Sequence, residues 1–193
     1  MRTIYLLCAV ALACGAGLFL GQVMAQEGDE GGMQTPAWIK PTAEHAAFKK
    51  HVGEWTGTMR WWMTPDQEPS ESTIEVTASL VLGGMYLQYD VRGNFEGHAW
   101  TGRWVLGYDT VDKEYVAIWM NSMGPVTVIS RGTAEDGVLN LEGAEPDHMT
   151  GEKKDSRHAV EWKGDDKIVF TFYGAPEGDE ERKTGEIVYT RKK

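Results

Sequence analysis

Residues 73–92 read TIEVTASLVLGGMYLQYDVR. Ile74, Val76, Ala78, Leu80 and Leu82 alternate with Thr73, Glu75, Thr77 and Ser79, so one face is apolar and the other polar. Successive side chains of a strand point to opposite faces, and a period of two marks a half-buried strand. Gly83-Gly84 then makes a tight turn, after which Met85, Leu87, Tyr89 and Val91 oppose Tyr86, Gln88, Asp90 and Arg92. Paired glycines accept the positive φ angles of short hairpin turns. The stretch reads as a β-hairpin, and it sets the class of what surrounds it.

The same period runs through most of the chain. In HVGEWTGTMRWWM, residues 51–63, Trp55, Gly57, Met59, Trp61 and Met63 fall on one side, with Thr56, Thr58, Arg60 and Trp62 on the other. Alternating segments follow at 96–108, 114–121, 125–131, 138–141, 155–163, 167–173 and 181–191. Sequential hairpins without long crossovers favour a meander over a Greek key. Closing the meander removes the exposed edges that an open sheet of this size would leave. The expected fold is all-β, an antiparallel up-and-down barrel of about ten strands, with a two-sheet sandwich as the alternative. One short helix precedes it at 42–52, where Thr42 can cap, Glu44 and the alanines favour helix, and Gly53 ends it.

Residues 1–25 read as an export signal. Arg2 is the only charge, an apolar run spans 4–20, and Val23-Met24-Ala25 leads to a cleavage point before Gln26. The run is also long enough to stay as an anchor, and Cys14 leaves acylation open. Both cysteines, Cys8 and Cys14, lie in this segment, so a mature chain has no disulfide, thiolate ligand or cysteine nucleophile. Residues 26–41 form a Gly-rich acidic leader without periodicity, and 42–193 form a single barrel domain. The chain carries 19 basic and 29 acidic residues, a net charge of −10. Nucleic acid and anionic membrane surfaces need basic patches, so neither is an expected partner. The expected location is the periplasm or the medium, and the oligomeric state stays open.

No sequence-adjacent catalytic or metal motif is present: H-E-x-x-H, G-x-S-x-G and a phosphate-binding glycine loop are all missing. The five histidines, His45, His51, His98, His148 and His158, nowhere stand at ligand spacing. Strand parity singles out polar residues expected to face inward. His98 shares its face with Trp100 and Trp104, and His158 with Val160 and Trp162. Asn121 aligns with Trp119, and Arg131 with Thr127 and Ile129. A buried polar group needs a partner, because leaving it unpaired costs about 1–3 kcal/mol. Aromatic side chains dominate the rest of the inward set. The candidate lumen lining is therefore Trp61, Met63, Tyr89, His98, Trp100, Trp119, Asn121, Arg131 and His158. No cofactor is expected, although two lumen histidines can titrate near neutral pH, act as a base or ligate haem iron.

A helix ending at Gly53-Glu54-Trp55 resembles the G-x-W opening of lipocalins and their calycin relatives. The wider pattern adds His45, Phe48 and Val52 before it. Beyond it come Leu82-Gly83-Gly84, Leu106-Gly107-Tyr108-Asp109 and Trp119 with Ser122-Met123. This pattern is similar to the bacterial domain-of-unknown-function family fifteen seventy-nine, over roughly 44–193. The resemblance implies a barrel like that of lipocalins or fatty-acid-binding proteins, often exported, with Trp55 closing the floor under the helix. It implies no established activity, so no catalytic residue carries over. Asp109 opens the loop 109–113 as a turn former.

Three functions follow as expectations. The first is an exported barrel holding a small apolar or amphipathic molecule in a lumen of aromatic and methionine side chains with a few polar anchors. The second is a structural or interaction protein of the cell envelope. The third is a barrel hydrolase or isomerase acting on a small lipid-like substrate through His98 and His158. A wide barrel tends to keep a cavity, whereas a narrow one fills with side chains.

Overall fold

The computed structural model describes residues 35–62, 64, 66–95, 97–147, 150–174 and 181–193. The export segment, most of the leader and the candidate Met63 lie outside the described residues. Ten strands follow one another: β1 Gly53–Trp61, β2 Ser70–Val81, β3 Tyr86–Phe95, β4 His98–Asp109, β5 Glu114–Asn121, β6 Gly124–Glu135, β7 Val138–Pro146, β8 Lys153–Trp162, β9 Lys167–Gly174 and β10 Arg182–Arg191. Each pairs antiparallel with its neighbours in sequence, and β10 pairs with β1 from Trp55↔Arg191 to Trp61↔Gly185. The sheet is a closed up-and-down barrel, as the alternation requires.

The opening hairpin forms with one correction. Val81 pairs with Tyr86, so the turn is the four-residue loop 82–85. Leu82 itself adopts φ 49° and is 76% exposed, and Leu80 stands at the exposed end of its strand. The alternation of residues 73–82 therefore runs past the end of the core. The helix is also shorter than expected: α1 covers Ala43–Ala47, and the chain tightens into a 3₁₀ turn at Phe48–His51. Side chains three apart eclipse in a 3₁₀ turn. That brings Phe48 and His51 to the barrel together, Phe48 edge-on to Tyr115 and His51 stacked on Trp162 at 4.9 Å. At the other end of α1, His45 Nδ1 accepts the Thr42 N–H at 3.1 Å.

This helical segment is the floor. Trp55 lies beneath it, 1% exposed, its indole N–H donating to His51 O at 3.0 Å. Arg191, at the end of the last strand, lays its guanidinium over the Trp55 ring at 4.1 Å. The same guanidinium donates to Val52 O at 2.7 Å, Lys50 O at 2.6 Å and Asp165 O at 2.9 Å. It thus ties β10 to the helix–strand junction and to the β8–β9 turn. Gly53 is the reason it fits. Its φ is 142°, and a β-carbon there would lie 2.7 Å from Arg191 Nη1.

Above the floor the barrel is filled. Trp55, Leu87, Leu106, Leu139, Leu141 and Ile168 are each 2% exposed or less. Tyr89 belongs to this layer, packed between Trp104 at 5.3 Å and Tyr189 at 6.4 Å. Burial pushes its phenol well above the ordinary value.

Arg191→Ala should lower unfolding stability by about 3 kcal/mol, since charged hydrogen bonds and a cation–π contact go together. Removing the exposed Arg103–Asp90 pair by Arg103→Ala should cost less than about 1 kcal/mol; urea unfolding of both variants compares them. His51 supplies a pH signature. Burial first, then the charges of Arg191 and Lys50, push its pKa down to about 4. The unfolded ring titrates near 6.5, so the unfolded chain binds the extra proton. Stability contributed by neutral His51 should be complete above pH 6.5 and fade as pH falls towards about 4. Substituting His51→Phe should flatten that part of a stability–pH curve.

Candidate functional site

The lumen changes character towards the end remote from the helix. There Trp61, Trp119 and Phe172 face inward by register yet are only half-buried, and Trp100 beside them is buried. Inward-facing side chains thus keep some contact with solvent at this end, above the filled layer. The indoles lie flat against the wall because the neighbouring strands offer glycine. A β-carbon at Gly93 would lie within 2.6 Å of the Trp100 indole, at Gly102 it would strike Trp119, and at Gly185 it would strike Trp61. Trp61 continues to Phe172 at 5.2 Å, and Phe172 to His158 at 5.1 Å, while Trp100 meets Trp119 edge-on at 6.3 Å.

His158 is the polar member of this ring, 6% exposed. Its Nε2 lies 2.7 Å from Glu145 Oε1 without an aligned hydrogen bond. Glu145 reaches it from the next strand, where Glu145 pairs with Lys154 and Leu141 with His158. Ser156 lies between Lys154 and His158 on β8, and its Oγ is buried without a partner. Ser130, 2% exposed, completes the row Ser130–Gly143–Ser156 across three strands. Each unpaired buried group costs about 1–3 kcal/mol. Serine, histidine and glutamate together have the composition of a nucleophilic relay. The geometry is not one: Ser156 Oγ has no hydrogen-bond partner, and His158 Nε2 lies against Glu145 rather than bonded to the serine.

The candidate residues therefore divide. Trp61 and His158 both meet Phe172, and Trp100 meets Trp119. Tyr89 is in the filled layer below them. His98 has the inward parity but is exposed at the strand end, opposite Phe95, so no paired site with His158 forms. Asn121 has its Oδ1 committed to the Met123 N–H at 2.8 Å, within a turn next to a register shift. Arg131 faces outward, a correction of its expected parity. In β6 the inward residues are Val128 and Ser130, while Ile129 is 53% exposed. Arg131 pairs with Glu114 at 2.6 Å and lines a shallow outer groove of about 240 Å³ with Tyr86, Val105 and Ile118. Asp109 acts as the expected turn former, its Oδ1 accepting the Val111 and Asp112 N–H groups, which hold its carboxyl below the usual range.

Glu145, Ser156 and Phe172 are the residues that sequence reasoning left out of the site. Glu145 was hidden because Gly143 and Pro146 suggest a strand ending at Leu141, whereas β7 runs to Pro146. Extending the parity of Leu139 and Leu141 two steps further finds it. Among the described residues no group of three or more histidine, cysteine or acidic side chains is arranged to hold a metal.

The architecture is that of the crystal structure of Rv2717c from M. tuberculosis, which is 16% identical with a TM-score of 0.54, covering 80% of this chain and 100% of that one. At that identity the likeness is one of fold. No curated protein matches the chain. A family model matches residues 40–191, from the floor helix to the Arg191 latch, and the chain belongs to the family described as Protein of unknown function (DUF1579).

Proposed function

We propose that this protein is an exported binding barrel that takes a small apolar or amphipathic molecule into the end of its lumen remote from the helix. The carrying observation is the half-buried state of Trp61, Trp119 and Phe172 inside a barrel whose lower layer is fully packed. Aromatic surface left wet on a concave wall favours an apolar occupant, at about 25 cal/mol per Å² removed from water. Binding sites are commonly such apolar concavities with a few polar groups, and barrel mouths are among their usual places. Export rests on the apolar run at 4–20 and on a chain without cysteine after residue 14.

The test uses N-phenyl-1-naphthylamine, a neutral apolar probe that brightens on leaving water. The protein should bind it saturably at one site. Trp61→Ala should weaken that binding about tenfold, the ~1.4 kcal/mol of one lost aromatic contact. A barrel serving only as an envelope scaffold would give no saturable signal, and that result would end the proposal.

A further inference from the structure

The outer wall of the barrel is not polar all round. On β1 and β2 the outward pairs are Glu54 with Thr77, Thr56 with Glu75 and Arg60 with Glu71, as a solvated sheet face requires. On β4, β5 and β6 the register instead sets Val105, Ile118 and Ile129 in one outward row. Val116 and Met120 flank Ile118 on β5, and Ile129 and Met120 are exposed. The adjoining row runs Gly107, Val116, Arg131, and the Tyr86 ring lies over Gly107, where a β-carbon would come within 2.6 Å of it. The groove here, about 240 Å³, is smaller than the roughly 300–1,000 Å³ of small-molecule sites.

This face is complementary to itself. A two-fold axis laid along β5 exchanges β4 with β6. Ile129 then lies on the partner's Val105, and Ile118 on the partner's Ile118. Arg131 comes over the partner's Gly107, where the Tyr86 ring offers a cation–π contact. Sheets packed face to face in this way lie about 10 Å apart, with side chains interdigitating. Charge favours this face over others. A net charge of −10 repels two copies, whereas the charges flanking this face are paired, Arg131 with Glu114 and Arg103 with Asp90. Four strands by three rows cover roughly 400 Å² per partner, about half of a standard interface.

We infer that the outer face of β4–β6 is the contact surface of a weak, reversible, two-fold dimer of this chain. Sedimentation equilibrium of the protein should show dimer growing with concentration, half formed at about 100 μM, as suits so small an interface. Ile129→Lys should weaken the dimer about tenfold or more. Ile129→Thr, a residue suited to an exposed strand, should weaken it about threefold and repeats the test without a new charge. Phe95→Lys makes the same exchange at an exposed strand end away from this face, and should leave the dimer unchanged. A protein that stays monomeric throughout that range overturns the inference and leaves the face to another partner. A dimer that both Ile129 variants leave intact, or that Phe95→Lys disrupts equally, overturns it as well.

Discussion

The barrel depends on one contact, the guanidinium of Arg191 lying on the indole of Trp55. A meander of ten strands has only one pairing that is not local in sequence, that of β10 with β1. Every other strand pair closes through a short connection, whereas this one joins the two ends of the domain. Loop-closure entropy makes it the costly step. Arg191 is placed to offset that cost, since it gathers the floor turn, the first strand and the β8–β9 turn onto one group. Gly53 belongs to the same arrangement, because any side chain there would displace the guanidinium. The G-x-W pattern is in this sense half of a motif, and its other half is an arginine at the far end of the domain.

The fold was largely legible because alternation, turn residues and strand count all depend on neighbours in sequence. The Glu114–Asn121 strand is bounded at the same residues by its pattern and by its pairing. The site was less legible. Parity places a side chain on a face but says nothing about depth, so Tyr89 and His98 carried the same signal as Trp119. One lies in the packed layer and the other at an exposed strand end. Arg131 was assigned to the wrong face because Ile129, an apolar residue, stands outside. Glycine was the other hidden variable. Gly93, Gly102 and Gly185 hold indoles against the wall, and that long-range pairing cannot be read from one strand at a time.

Burial divides the aromatic content of the lumen into two groups. Eight tryptophans in one chain suit either a solid core or a binding cavity. Trp55, Trp100 and Trp104 are buried in the core, while Trp61 and Trp119 are half-buried at the end remote from the helix. The same residue type thus stabilises the protein at one end and offers apolar surface at the other. In the polar cluster His158 Nε2 faces Glu145, while Ser156 Oγ is buried without a partner at a cost to stability.

The proposed function places any apolar ligand at the end of the lumen remote from the helix, and at no other surface. Indole N–H resonances of the tryptophans, followed by nuclear magnetic resonance during titration with N-phenyl-1-naphthylamine, test it most directly. The account predicts that the Trp61, Trp100 and Trp119 signals shift together and saturate, with Trp55 and Trp104 unmoved. Saturable shifts confined to the backbone amides of Tyr86, Val105 and Ile118 in the outer groove would contradict it.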